Sequence, residues 1–149
     1  MKSLVQIMDQ AMALKSEISK LLLAYTYKEC SYLSALDINY GDSEQLLQLE
    51  VLRDIMEKLA DIEATLDYMS LPVVEGGQLV KNAVGKYETS SGHVLHAGSM
   101  VEALIADGIY NVPYWSIDRV EHDGTDYCLV KNLNTPMDGL AVRIRGEEE

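Results

Sequence analysis

Tyr114-Trp115-Ser116-Ile117-Asp118-Arg119-Val120-Glu121-His122-Asp123-Gly124-Thr125-Asp126-Tyr127-Cys128-Leu129-Val130-Lys131 is the run that decides what the second half of the chain is. Two stretches of strand-forming residues flank Asp123-Gly124. A two-residue Asp-Gly loop supplies the positive φ angles of a type I′ turn, so the run predicts a β-hairpin. Counting outward from that turn sets Val120 opposite Tyr127 and Ile117 opposite Val130. It also sets Glu121 opposite Asp126, a like-charge pair at the hairpin tip and a candidate contact for a basic partner or a cation. Apolar residues then fall on both faces. One face fills a core while the helical arm described below covers the other, or a bulge at Asp118-Arg119 returns both sets to one face. Trp115 is expected to be buried.

The flanking sequence keeps the period of two. Short strands are predicted at Gln78 to Asn82, at Lys86-Tyr87-Glu88, at His93 to His96, from Met100 to Ile105 and from Leu140 to Arg145. Gly85, Ser90-Ser91-Gly92, Ala97-Gly98, Asp107 to Pro113 and Met137-Asp138-Gly139 supply the turns and loops between them. Five or six short antiparallel strands at this spacing suggest a small SH3-like barrel over residues 78–146, with 147–149 as an acidic tail.

Upstream the period changes to that of a helix. Leu4, Ile7, Ala11, Leu14, Ile18, Leu21 and Tyr25 recur at steps of three and four, predicting one helix from Ser3 to at least Tyr27, with an extension through Cys30 and Leu33 to Leu36 in view. A second helix is expected from Asp42 or Ser43, with Asp42 as cap and Gln45 reaching back to it in a capping box. Its apolar stripe runs from Leu46 to Met69, and Leu71-Pro72 ends it. Two such helices joined by a short turn form an antiparallel hairpin over residues 1–70, whose uncovered apolar surface points to self-association or docking. Glu75-Gly76-Gly77 reads as a hinge within a linker, 71–77. The fold class is therefore α+β.

Composition narrows the chemistry. The 149 residues carry 24 acids against 12 bases, a net charge of −12. Neither half hides a cluster of Lys and Arg, so direct binding of nucleic acid or of an anionic membrane is not expected. Cys30 and Cys128 form no framework, and the N-terminus lacks the apolar core of a signal peptide, which together read as a cytoplasmic protein. His93 and His96, three apart in a strand, face opposite ways and make a poor metal pair. No Gly-x-Ser-x-Gly elbow, phosphate loop or apolar pair of acids is present, so neither an enzyme nor a cofactor is expected.

Exposed aromatics remain. Tyr110 and Tyr114 flank Pro113 at a loop end and are candidates for contact with a protein partner. Acids at Glu50, Asp54, Glu57 and Asp61 line a face of the second helix and are candidates for contact with a basic nucleic-acid-binding protein.

The stretch from about Gly85 to Arg145 resembles a bacterial domain family of unknown function, DUF5348. The resemblance rests on Gly85-Lys86-Tyr87-Glu88, Val101-Glu102-Ala103-Leu104-Ile105, Trp115, Arg119-Val120-Glu121-His122, Asp126-Tyr127-Cys128-Leu129-Val130 and Gly139-Leu140-Ala141-Val142-Arg143-Ile144-Arg145. The sequence departs at Cys128, where a second aromatic is usual, and in a longer loop from Asp107 to Pro113. The resemblance implies an origin among Gram-positive bacteria, their phages and integrative elements, and it implies no activity and no catalytic residue. Two functions follow as expectations. The first is a non-enzymatic acidic interaction module, homo-oligomeric through its helical arm. The second is an anti-defence protein that mimics nucleic acid to block a basic nuclease channel, as anti-CRISPR inhibitors do.

Overall fold

The computed structural model describes residues 1–25, 36–106 and 110–146. The chain forms two compact units, Met1–Ser70 and Leu71–Glu149.

The first unit contains α1 (Leu4–Ala13), α2 (Lys15–Tyr25) and α3 (Ser43–Ser70). A full capping box opens α1. The Gln6 amide donates to Ser3 Oγ at 3.2 Å, and the Ser3 amide donates to Gln6 Oε1 at 2.9 Å. The single helix expected from Ser3 is interrupted at Leu14. Its amide donates to the Ala11 carbonyl, a tighter three-residue step, before the Ile18 amide resumes the ladder on the Leu14 carbonyl. No Gly or Pro announces this interruption. The expected extension through Tyr27, Cys30 and Leu33 lies outside the described residues, and Leu36 lies outside the helices.

Helices α2 and α3 run antiparallel, as expected. Lys15 pairs with Asp67, Ser19 Oγ donates to Glu63, and Leu22 meets Met56 in a small cluster with Ile18, Leu49, Leu52 and Leu59. Asp42 caps α3, its carboxylate accepting from the Glu44 amide at 2.9 Å and the Gln45 amide at 3.4 Å. The reciprocal half of the capping box differs from expectation. Gln45 Oε1 accepts from the Asn39 amide at 2.8 Å, because the Asp42 amide is already turned onto the Asn39 carbonyl. No residue of α1 is buried, and Leu4, Val5 and Ile7 are all exposed.

The second unit contains β1 (Val73–Gln78), β2 (Val80–Lys81), β3 (Tyr87–Glu88), β4 (Met100–Ile105), β5 (Tyr114–His122), β6 (Tyr127–Leu129) and β7 (Ala141–Arg145). Five strands make one antiparallel sheet in the order β1-β7-β4-β5-β6, while β2 and β3 pair separately. Leu79, Tyr87 and Leu95 from around the small sheet share one buried cluster with Val101, Ala103, Val120, Leu129, Val142 and Ile144 of the large one. Burying apolar side chains of this size contributes about 1.5–3 kcal/mol each.

Strand β1 replaces the hinge expected at Glu75-Gly76-Gly77. Gly76 pairs with Arg143 and Gly77 with Val142. Gly77 holds φ at +152°, and a Cβ there would lie 3.2 Å from Ser90 Oγ. The glycine admits a close strand–loop approach and is no hinge. The strand expected at His93 to His96 reduces to one bridge, Glu88 with Val94, and a bond from the Leu95 amide to the Tyr87 carbonyl.

The hairpin forms, but its turn is longer than two residues. His122 pairs with Tyr127, Glu121 with Cys128 and Val120 with Leu129, leaving Asp123 to Asp126 as a four-residue loop. The Asp123 carboxylate accepts from the Thr125 amide at 2.8 Å and the Asp126 amide at 2.9 Å, so the side chain builds the turn that two positive φ angles would otherwise build. Only Gly124 in this loop has positive φ. The slip is two residues, which keeps every side chain on its face and changes only its partner.

Candidate functional site

Strand alternation sorts the second unit into two faces. Val101, Ala103 and Ile105 of β4, Asp118 and Val120 of β5, and Val142 and Ile144 of β7 are buried on the core side. Glu102 and Leu104, Trp115 and Ile117, and Arg143 and Arg145 take the other side, because Glu102 registers with Ile117 and Arg143 while Leu104 registers with Trp115.

Beyond Ala103 and Val142 the ladder between β4 and β7 stops. Leu104, Ile105 and Ala106 part from Asp138, Gly139 and Leu140, and Asn134, Thr135 and Pro136 close the gap, leaving a cleft of about 360 Å³. Its volume and its mixed walls suit one or two side chains of a peptide. Ile105 lines the cleft and is also the cross-strand partner of Tyr114. Tyr110 stands edge-on to Tyr114, ring centroids 5.2 Å apart and planes at 89°. Tyr110 is 63% exposed, whereas Tyr114 is half-buried against the core cluster. The two tyrosines singled out in the sequence are thus brought together, one strand over from the cleft.

The other sequence candidates are placed apart. Glu121 pairs with Arg119 at 2.9 Å and registers with Cys128, so it does not oppose Asp126. Asp126 instead reaches Lys81 at 3.1 Å and accepts from the Tyr87 hydroxyl at 3.0 Å, tying the loop to the small sheet. On α3, Glu50 pairs with Arg53 and Asp54 with Lys58, while Glu57 and Asp61 are exposed and have no ion pair among the described residues.

Trp115, expected inside, is 38% exposed. It lies on the face opposite the core, with the Arg143 guanidinium 4.6 Å above its ring. Beside it the Glu102 carboxylate, with 4% of its side chain exposed, receives both Arg143 and Arg145. The sequence carried a signal for this cluster. Glu102 interrupts an apolar strand, and Arg143 and Arg145 alternate with core residues on β7, its neighbour in the sheet.

The tip of the hairpin sets an acid limit. Lys81, then the Tyr127 amide, hold the Asp126 carboxyl below its ordinary 3.8, and the Asp126 and Thr125 amides do the same for Asp123. A depressed carboxyl contributes stability that is present above its unfolded value and lost as pH falls through its folded value. Thermal unfolding midpoints of the full chain are therefore expected to fall below about pH 4, and Asp126→Asn should flatten that fall. An unchanged pH profile in the variant would show the Lys81–Asp126 tie to be idle. Burial first, and then the surrounding acids, push the Cys128 thiol upward, which disfavours its thiolate.

No curated protein and no solved structure matches the chain. A family model does match, over residues 77–144, and its description is a domain of unknown function, DUF5348. The match starts in β1, eight residues before the resemblance in the sequence, and ends in β7, so it takes in both sheets and the cleft. The DUF5348 model thus matches most of the β-unit, and the helical arm before it lies outside the match.

Proposed function

We propose that the protein is a non-enzymatic interaction module whose β-unit, read as an SH3-like bent sheet, binds a segment of a partner protein. The carrying observation is the exposed Tyr110, fixed edge-on against Tyr114, whose cross-strand partner Ile105 lines a peptide-sized cleft. Exposed tyrosines held by a rigid neighbour lose little freedom on binding and commonly dominate such contacts. The helical arm serves self-association or docking in this reading, supported by the exposed Leu4, Val5 and Ile7 of α1.

A nucleic-acid mimic that blocks a basic nuclease of a defence system is the second reading. It draws on the exposed Glu57 and Asp61, but Glu50 and Asp54 in the same row are already neutralised by Arg53 and Lys58. The first reading is therefore preferred.

Panning a random dodecapeptide display library on the full chain tests it. Enriched peptides are expected to bind Tyr110→Ala about tenfold more weakly, the loss of one aromatic contact of about 1.4 kcal/mol. Tyr110 is exposed, so the variant should keep its thermal midpoint. Failure to enrich any peptide, or equal binding by the variant, would remove the reading.

A further inference from the structure

Strand β5 is nine residues long and β6 only three, so β6 covers one end of the β5 edge and leaves the rest. The register decides which backbone groups are left open. The Val120 amide donates to the Ser99 carbonyl at 2.9 Å, and the Val120 carbonyl accepts from the Gly98 amide at 2.7 Å. Val120 thus turns both groups toward the β4 side. Antiparallel pairing alternates, so Asp118, Ser116 and Tyr114 do the same, while Arg119, Ile117 and Trp115 turn theirs away. The Val130 amide agrees with this sense, donating to the Arg119 carbonyl at 3.0 Å. There the ladder ends. The Lys131 amide goes to the Asp118 carboxylate, and Asn132 Nδ2 reaches Asp118 and Ser116 Oγ on the core side. The amides and carbonyls of Ile117 and Trp115 make no hydrogen bond among the described residues.

Edge strands are ordinarily blunted by charge, proline or a bulge. At the far edge of the sheet, β1 has a bulge between Val73 and Glu75, and Glu75 adds a charge. The open stretch of β5 has neither. Residues 112–117 carry no charge, and Pro113 precedes the strand. Trp115 is 38% exposed and Val112 58%. An uncharged edge with unpaired amides and carbonyls is a template for one more strand.

A second copy of β5 fits this template poorly. Antiparallel pairing about Ser116 would set Pro113 of one copy against Arg119 of the other, where Val130 already lies. Pairing about Ile117 would bring Trp115 to the same blocked position. Pairing about Trp115 would set Ile117 against Pro113, which has no amide to give. A short segment of another protein can bend away at both ends and meets none of these conflicts.

We infer that the open edge of β5 takes an extended segment of a partner protein as an added antiparallel strand, paired on Trp115 and Ile117. The two residues opposite them lie on the face away from the core and are β-branched or aromatic. The residue between lies opposite Ser116, beside Asn132, and is small and polar. This site is separate from the cleft, which opens between β4 and β7 on the other side of β4, and it stands without that reading.

The test uses the full chain and two forms of the capped peptide Thr-Val-Thr-Val-Thr-Val-Thr, one N-methylated at every valine and the other at every threonine. The threonine-methylated form keeps the amides that would face β5. It is expected to bind, to shift the amide resonances of Trp115 and Ile117, and to change the emission of Trp115, the only tryptophan. The valine-methylated form should bind about tenfold more weakly, because it offers amides only by turning threonines onto Trp115 and Ile117. Ile117→Pro removes one donor on the open side, where a strand tolerates proline, and should weaken the first peptide about tenfold. Should that variant not fold, Ile117→Lys keeps the backbone, charges the edge and should weaken it likewise. Equal binding of the two forms, binding that leaves the Trp115 and Ile117 amides unmoved, or binding of neither form overturns the inference. Protection of those two amides that grows as the free chain is concentrated would assign the edge to a second copy and overturn it too. Each of these results leaves the cleft reading standing, since that reading is tested at Tyr110.

Discussion

Glu102→Ala is expected to destabilise the protein by about 3–5 kcal/mol, the cost of breaking a buried ion pair from one side. Glu102 sits in mid-strand in β4 with 4% of its side chain exposed, and it accepts four hydrogen bonds from Arg143 and Arg145. Removing it takes away the carboxylate on which two partly buried guanidinium groups converge. The loss falls on β7, which is paired on both sides, with β4 and β1. Glu102→Gln keeps the shape and one acceptor and should lose less. Urea unfolding of the full chain measures both. A loss below about 1 kcal/mol for the alanine variant, the range of a surface salt bridge, would mean that the cluster is a solvated surface pair.

Asp118→Ala is the second large loss, about 2–4 kcal/mol from stranded buried donors. Asp118 faces the core side of β5 and is 1% exposed. Its carboxylate accepts from the Lys131 amide at 2.9 and 3.1 Å, from Asn132 Nδ2 at 2.9 Å and from its neighbour's amide, Arg119 N, at 2.8 Å. The side chain thus takes over where strand pairing with β6 ends, satisfying backbone as the chain turns away after Val130. Asp118→Asn keeps an acceptor for the Lys131 amide and should lose about half as much. Amide exchange at Lys131 should quicken in both variants. Unchanged exchange there would show that the carboxylate does not hold this turn.

These two acids also mark where sequence reading stops. Alternation along β4, β5 and β7 was legible, because core residues repeat at a spacing of two. The charged residues stood out within those apolar strands but their pairing did not, since Glu102 meets Arg143 and Arg145 only through a non-local strand order. The hairpin strands were legible and the register was not. Asp-Gly favours a two-residue turn, yet the Asp123 side chain captures two amides and widens the loop. Gly76-Gly77 looked like a hinge because glycine weakens strands, but here close approach to Ser90 requires one. Trp115 was expected inside, but stacking by Arg143 makes a half-exposed position acceptable. In the helical unit the α2–α3 pairing followed from heptad spacing. The break at Leu14 followed from nothing in the residues. Of the candidate contacts, Tyr110 and Tyr114 converge, while Glu50 and Asp54 are paired and Glu57 and Asp61 have no ion pair among the described residues.

The decisive measurement is hydrogen exchange of the full chain with and without a peptide enriched on it by display. Protection is expected at Leu104 to Ala106 and Asn134 to Leu140, together with reduced solvent access at Tyr110. Protection confined to the α3 face around Glu57 and Asp61, or none in the β-unit, would contradict a binding cleft there.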